Sequence, residues 1–197
     1  MERTGAAHPA FGNDYYLFRK KVFKLFGGAF HAYDENGQVV LFSRQKAFKL
    51  REDFKIYSDE REMEELLSIK TPQILDIGAT YNVQDSTTGE MVGSLRRKGL
   101  KSIFKDEWVF LANDGRELGK LTETSALGAL ISRVINIIPQ TYVAQSLDGR
   151  ELAHIKQHFN PFILKYTLRI SDPDGLIDRR LLISAGILLA AIEGRQQ

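Results

Sequence analysis

Seven to nine residues beyond Gly37, Gly89 and Gly149 the chain carries Arg44-Gln45-Lys46, Arg96-Arg97-Lys98 and Lys156-Gln157-His158. Arginine forks and lysine point charges both pair with phosphate oxygens, so a rim built from such triplets suits anionic phospholipid headgroups or another phosphorylated ligand. The candidate anion-binding residues are therefore Arg44, Lys46, Arg96, Arg97, Lys98, Lys101 and Lys156, with Lys105 lengthening the middle run. The same residues have a plainer reading, as cations that keep strand ends soluble and unpaired.

Other constellations fall short of chemistry. His154 and His158 lie in a stretch patterned as a strand, where four residues span ~13 Å, too far for two ligands each ~2 Å from one metal ion. Gly115-Arg116-Glu117-Leu118-Gly119-Lys120 is one residue short of a phosphate-binding loop, lacks its closing Ser/Thr, and sits inside a hairpin pattern. Ser184 lies in an apolar helical run without the glycines of a nucleophile elbow, and reads as a packing residue bonded back to its own helix. Asp172, Asp174 and Asp178 are weak metal candidates, because a calcium loop starting at Asp172 would need oxygen ligands where Leu176 and Ile183 stand. Turn formation and helix capping account for all three. No nucleophile, base and metal set converges, so the expectation is a binding module, not an enzyme, with no cofactor.

The net charge of +2 is unevenly spread. Residues 58–90 hold two basic and eight acidic groups, between 1–57 with ten and six and 91–120 with seven and four. No strong basic excess or nucleic-acid motif accompanies this pattern, so nucleic acid is not an expected partner. With no cysteine and no Asn-x-Ser/Thr sequon, disulfides, thiolate zinc sites and cysteine nucleophiles are excluded, and a reducing cytosol is the natural setting. A peripheral membrane position stays open through the basic rim. Residues 1–13 lack a signal-peptide pattern and read as a flexible tail, leaving 14–197 as one domain.

The elements that must position these side chains are mostly strands. Asn36-Gly37, Thr88-Gly89, Asp114-Gly115 and Asp148-Gly149 recur between β-branched and aromatic runs, and such pairs supply the positive φ of tight hairpins. The pattern predicts strands over Tyr15–Lys24, Ala29–Tyr33, Val39–Ser43, Phe54–Tyr57, Leu66–Thr71, Thr80–Asp85, Met91–Arg97, Glu107–Leu111, Glu117–Thr122, Gln140–Ser146, Glu151–Gln157 and Lys165–Ile170. About twelve short strands leave exposed edges unless the sheet closes, so a barrel is the economical architecture. A helix is expected over Ser125–Asn136, stopped by Pro139.

The last segment is a second helix, capped by Asp178 and ended by Gly194, and it is apolar on every side. From Arg179 to Glu193 it spans ~22 Å, short of the ~30 Å hydrocarbon core of a bilayer. Enclosure by the barrel is therefore expected, with a membrane anchor as the alternative.

Together, Tyr33-Asp34-Glu35-Asn36-Gly37, Lys46-Ala47-Phe48-Lys49-Leu50, Gly93-Ser94-Leu95-Arg96-Arg97-Lys98-Gly99, Phe159-Asn160-Pro161-Phe162 and the closing helix make a chain that resembles the LURP-one-related proteins. These group with phospholipid scramblases and the Tubby C-terminal domain. The resemblance implies a mostly β, Tubby C-terminal-like fold: a closed antiparallel barrel of twelve strands around a buried hydrophobic C-terminal helix. Tubby domains bind phosphoinositides through basic side chains and scramblases act at phospholipid membranes. The resemblance thus implies either a phospholipid-binding module or a scramblase-like, membrane-associated lipid handler, and a protein-interaction scaffold without a small ligand is the third reading. Scramblases also place an acidic segment before the terminal helix, where Asp172, Asp174 and Asp178 stand here. The chain lacks their cysteine cluster and proline-rich extension.

Overall fold

The computed structural model describes residues 7–21, 28–45, 53–71, 78–98, 107–124, 139–160 and 162–192. The helix expected over Ser125–Asn136 and the Gly194 cap lie outside them. The twelve strands are β1 (Tyr15–Lys21), β2 (Gly28–Tyr33), β3 (Val39–Gln45), β4 (Asp53–Tyr57), β5 (Glu65–Lys70), β6 (Thr80–Asp85), β7 (Met91–Arg97), β8 (Glu107–Leu111), β9 (Glu117–Glu123), β10 (Thr141–Ser146), β11 (Glu151–His158) and β12 (Ile163–Ile170). Each pairs antiparallel with its sequence neighbours, and β1 pairs with β12, so the sheet is a closed barrel. Closure removes the free edges that so many short strands would otherwise expose. The hairpin glycines do what their sequence context predicts: Gly37, Gly89, Gly115 and Gly149 adopt φ of 76°, 76°, 82° and 85°.

Up-and-down topology gives the barrel two unlike ends. The connections 34–38, 58–64, 86–90, 112–116, 147–150 and 171–178 all lie at one end, called here the turn end. They carry twelve carboxylates: two in the first, four in the second, one in each of the next three, and three in the last. Only Arg61, Arg116 and Arg150 oppose them within those connections. The odd-numbered strands finish at the opposite end, where β1 closes on Arg19-Lys20-Lys21 and β7 on Arg96-Arg97.

Helix α1 (Arg179–Ile192) enters the barrel at the turn end, and every residue from Leu181 to Ala191 is buried. Its fourteen residues span ~21 Å. The helix passes close to the wall at Gly186, where an added Cβ would clash with Phe18 Cε2 and stand 2.9 Å from its Cζ. Phe18 cannot retreat easily, since its buried ring is stacked on Phe30 at 5.4 Å and on Tyr16 at 6.2 Å between centroids. The Asp178 carboxylate accepts the Arg180 backbone N–H at 2.8 Å, the cap expected from the sequence. Ser184 Oγ donates to Arg180 O at 2.7 Å, as its position inside the helix predicts. No helix among the described residues is long and apolar enough to cross a membrane.

Residues 7–13, expected as part of a flexible tail, are instead pinned. Pro9–Phe11 form a 3-10 turn with Ala10 and Phe11 buried. The Tyr16 hydroxyl donates to Ala10 O at 2.8 Å, and burial pushes the phenol up to about 12. Arg179 Nε donates to Phe11 O at 3.0 Å and its Nη2 meets Asp14 Oδ1 at 2.6 Å, so the first helical residue clamps the segment that precedes β1. The anchors are two apolar side chains and backbone carbonyls, which leave no periodic trace in the sequence.

Candidate functional site

The described residues of the three basic triplets fall at the end opposite the tight turns, but four strands apart, on or just after β3, β7 and β11. Among the described residues they do not touch one another. On β7, Arg96 Nη2 stands 3.2 Å from Glu117 Oε1, Lys98 Nζ stands 2.6 Å from Glu107 Oε1, and the Arg97 guanidinium lies 5.8 Å from the centre of the Trp108 ring. Arg44 Nε is 2.6 Å from Glu62 Oε1. Lys46, Lys101 and Lys105 lie outside the described residues.

The register of the seam strands gathers a different set of cations. Along β1, β2, β11 and β12 buried residues alternate with residues that face out. On the outward face His158 of β11 is opposite Lys165 of β12, Lys165 is opposite Arg19 of β1, and Arg19 is opposite His31 of β2. Directly opposed residues hold their Cβ atoms ~4.5–5.5 Å apart, so this is one continuous row of four basic side chains across four strands. Lys156, one outward position along β11, flanks the row, and Arg44 on β3 borders it beyond Ala29. Two of the residues singled out from the sequence thus mark the margins of a wall whose centre, Arg19 and Lys165, the sequence reading misses. Local pattern could have flagged both as outward cations, but only the closure of β1 on β12 makes them neighbours.

This wall is short of counter-charge. β1, β2, β3 and β12 contain no Asp or Glu, and β11 has only Glu151, whose carboxylate meets His154 Nε2 at 3.0 Å. Carboxylates reach the margins from the turn end: Glu60 to His31 at 2.5 Å, Glu62 to Arg44, and Glu35 to Arg169 at 3.8 Å. Among the described residues none reaches Arg19, Lys156, His158 or Lys165. Arg19 lies over the Tyr33 ring at 5.7 Å, which fixes the guanidinium without neutralising it. His158 Nε2 is 3.1 Å from Thr167 Oγ1, and burial, then Lys165 and Lys156, push its pKa below the ordinary 6.5. Lys165 and Lys156 thus add to the burial that disfavours a positive charge on this ring.

The turn end carries the other dense charge cluster, and it is committed to holding the helix. Arg180 Nη1 bonds Asp85 Oδ2 at 2.8 Å and Glu90 Oε2 at 2.9 Å, while its Nε and Nη2 take both oxygens of Asp178 at 3.0 and 2.7 Å. Those bonds, from Asp178 first, raise the guanidinium above its ordinary value despite burial. Asp85 is fully buried, which pushes its carboxyl up, yet Thr87, Arg180 and the Thr87 and Thr88 amides together hold it below the usual range. Each of the three aspartates weighed as metal ligands has a partner within the protein, although Asp172 Oδ1 is buried without one. Asp172 Oδ2 accepts Ile177 N–H at 3.0 Å, Asp174 meets Arg150 Nη1 at 2.9 Å, and Asp178 holds Arg180. Among the described residues no group of three or more His, Asp or Glu could hold a metal ion.

No curated protein and no solved structure matches the chain. The family model described as LURP-one-related matches residues 15–190, from the first residue of β1 almost to the end of α1. With the fold, the order of its elements and this match in agreement, the chain belongs to the LURP-one-related family.

Proposed function

We propose that this protein is a non-enzymatic, cytosolic binding module for an anionic, phosphorylated ligand, taken on the outer wall of β11, β12, β1 and β2. A lipid surface bearing phosphate headgroups is the ligand that such a broad face suits. The observation that carries the reading is the row His158, Lys165, Arg19 and His31, at whose centre the like charges Lys165 and Arg19 stand directly opposite one another with no described carboxylate beside either. Such opposition costs stability on a sheet face, by a few tenths to about 1 kcal/mol per pair. A folded chain that retains it gains the charge back when phosphate oxygens bridge the cations. The β7 triplet suits the role less, since Arg96 and Lys98 already have carboxylate partners.

Co-sedimentation with vesicles of phosphatidylcholine alone, and of phosphatidylcholine with phosphatidylserine, tests this. Binding should require the acidic lipid and weaken as salt shortens the Debye length from ~30 Å at 0.01 M to ~8 Å at 0.15 M. Equal recovery on the two vesicle types at low salt would falsify the proposal.

A further inference from the structure

Beyond the basic wall, and resting on the reading just given, we infer that the β11–β12 turn is a membrane-insertion tip that enters an anionic bilayer between headgroup and acyl chain. Phe159 and Phe162 are 56% and 63% exposed, and among the described residues they are the large exposed apolar side chains outside the turn end. They flank a turn whose strands begin the basic row: His158 precedes Phe159, and Lys165 follows Phe162 by three positions. A strand advances ~3.3 Å per residue, so Lys165 and its partner Arg19 stand ~10 Å behind Phe162 and ~3 Å behind Phe159, whose neighbour His158 is opposite Lys165. The larger separation matches the 5–10 Å or so by which interfacial apolar groups enter the headgroup–acyl boundary, so Phe162 leads the insertion, Phe159 sits at its edge, and the cations stay level with lipid phosphates.

The backbone of the tip is suited to the same position. Inserted peptide groups are costly when their N–H groups lack partners. Here Asn160 Oδ1 accepts the N–H groups of both Phe162 and Ile163, at 2.9 and 3.0 Å, so two donors at the tip are satisfied without water. The occupant is an anionic lipid bilayer, because one surface presents phenyl rings at its apex and unpaired cations just behind. A soluble phosphate would use only the second feature.

The test compares a soluble polyanion with a membrane on the full-length chain. Wild type and Phe159→Ser/Phe162→Ser are titrated with inositol hexakisphosphate and with phosphatidylcholine–phosphatidylserine vesicles, and circular dichroism checks the fold of each. Insertion predicts inositol hexakisphosphate affinity within about twofold of wild type, and vesicle partitioning reduced about tenfold or more. Unchanged vesicle partitioning of the serine variant overturns the insertion and leaves the anion-binding wall standing. So does wild-type binding to the inositol phosphate but not to vesicles. If the variant loses the inositol phosphate as well, the tip supports the wall and does not enter lipid, which also overturns the inference. Absence of wild-type binding to both probes removes the wall and the tip together.

Discussion

Lys165 and Arg19 face each other across the seam where the last strand of the barrel pairs with the first, and no described carboxylate stands beside either of them. Opposed like charges destabilise a strand pair. Replacing both, as Arg19→Gln/Lys165→Gln, should therefore leave stability unchanged or raise it by up to about 0.5 kcal/mol, measured by urea unfolding. A loss of more than about 1 kcal/mol would mean that the two side chains hold the wall together, contrary to the role assigned to them.

His158 adds a pH dependence to the same face. Its folded pKa lies below 6.5, the value expected in the unfolded chain, so between those two values the unfolded chain binds the extra proton. Stability should accordingly fall as pH drops through that window and be insensitive to this group above it. His158→Gln should flatten that part of the profile of midpoint against pH. A phosphate ligand should shrink the wild-type decline, because stabilising the protonated ring raises the folded pKa toward the unfolded value.

At the turn end, Asp85 fixes the helix entrance. Asp85→Ala removes one partner of a buried ion pair and strips the acceptor from Thr87 and Thr88, with Arg180 left only 9% exposed. Breaking such a pair from one side costs about 3–5 kcal/mol, and that loss should appear as a lowered unfolding midpoint with vesicle binding per folded molecule preserved.

Gly186 tests whether the helix lies within the barrel. A side chain there would press into the stacked ring of Phe18, so Gly186→Val should cost about 1–3 kcal/mol through overpacking, although valine is a better helix former than glycine. A stabilised variant would show that α1 and β1 are not in contact.

The architecture is legible in the sequence because its signals are local. Turn glycines such as Gly89 and Gly115 announce hairpins, alternation such as that of Thr80–Asp85 announces a half-buried strand, and the apolar run after Asp178 announces an enclosed helix. Strands over Thr80–Asp85, Met91–Arg97 and Glu107–Leu111 form with both ends as expected. The candidate site is legible only at its margins. Arg44 and Lys156 stand out by their spacing from glycine turns, whereas Arg19 and Lys165 belong to the wall through a pairing between the two ends of the chain, which no local pattern encodes. Equally hidden is the fate of the β7 triplet, since Glu107 and Glu117 reach Lys98 and Arg96 from neighbouring strands. The 3-10 turn at Pro9–Phe11 escapes for a related reason: its anchor, Arg179, lies at the far end of the sequence.

Neutralising two cations on each side of the barrel gives the most direct measurement of where the anionic surface docks. Arg19→Gln/Lys165→Gln and Arg96→Gln/Lys98→Gln remove the same net charge from β1–β12 and from β7, and their partitioning onto phosphatidylcholine–phosphatidylserine vesicles can be compared at one salt concentration. At about 1 kcal/mol per cation, the seam variant should bind roughly 30-fold more weakly than wild type while the β7 variant stays within about threefold. Equal losses in the two variants, or a larger loss on β7, would contradict the assignment of the ligand to the wall formed by β11, β12, β1 and β2.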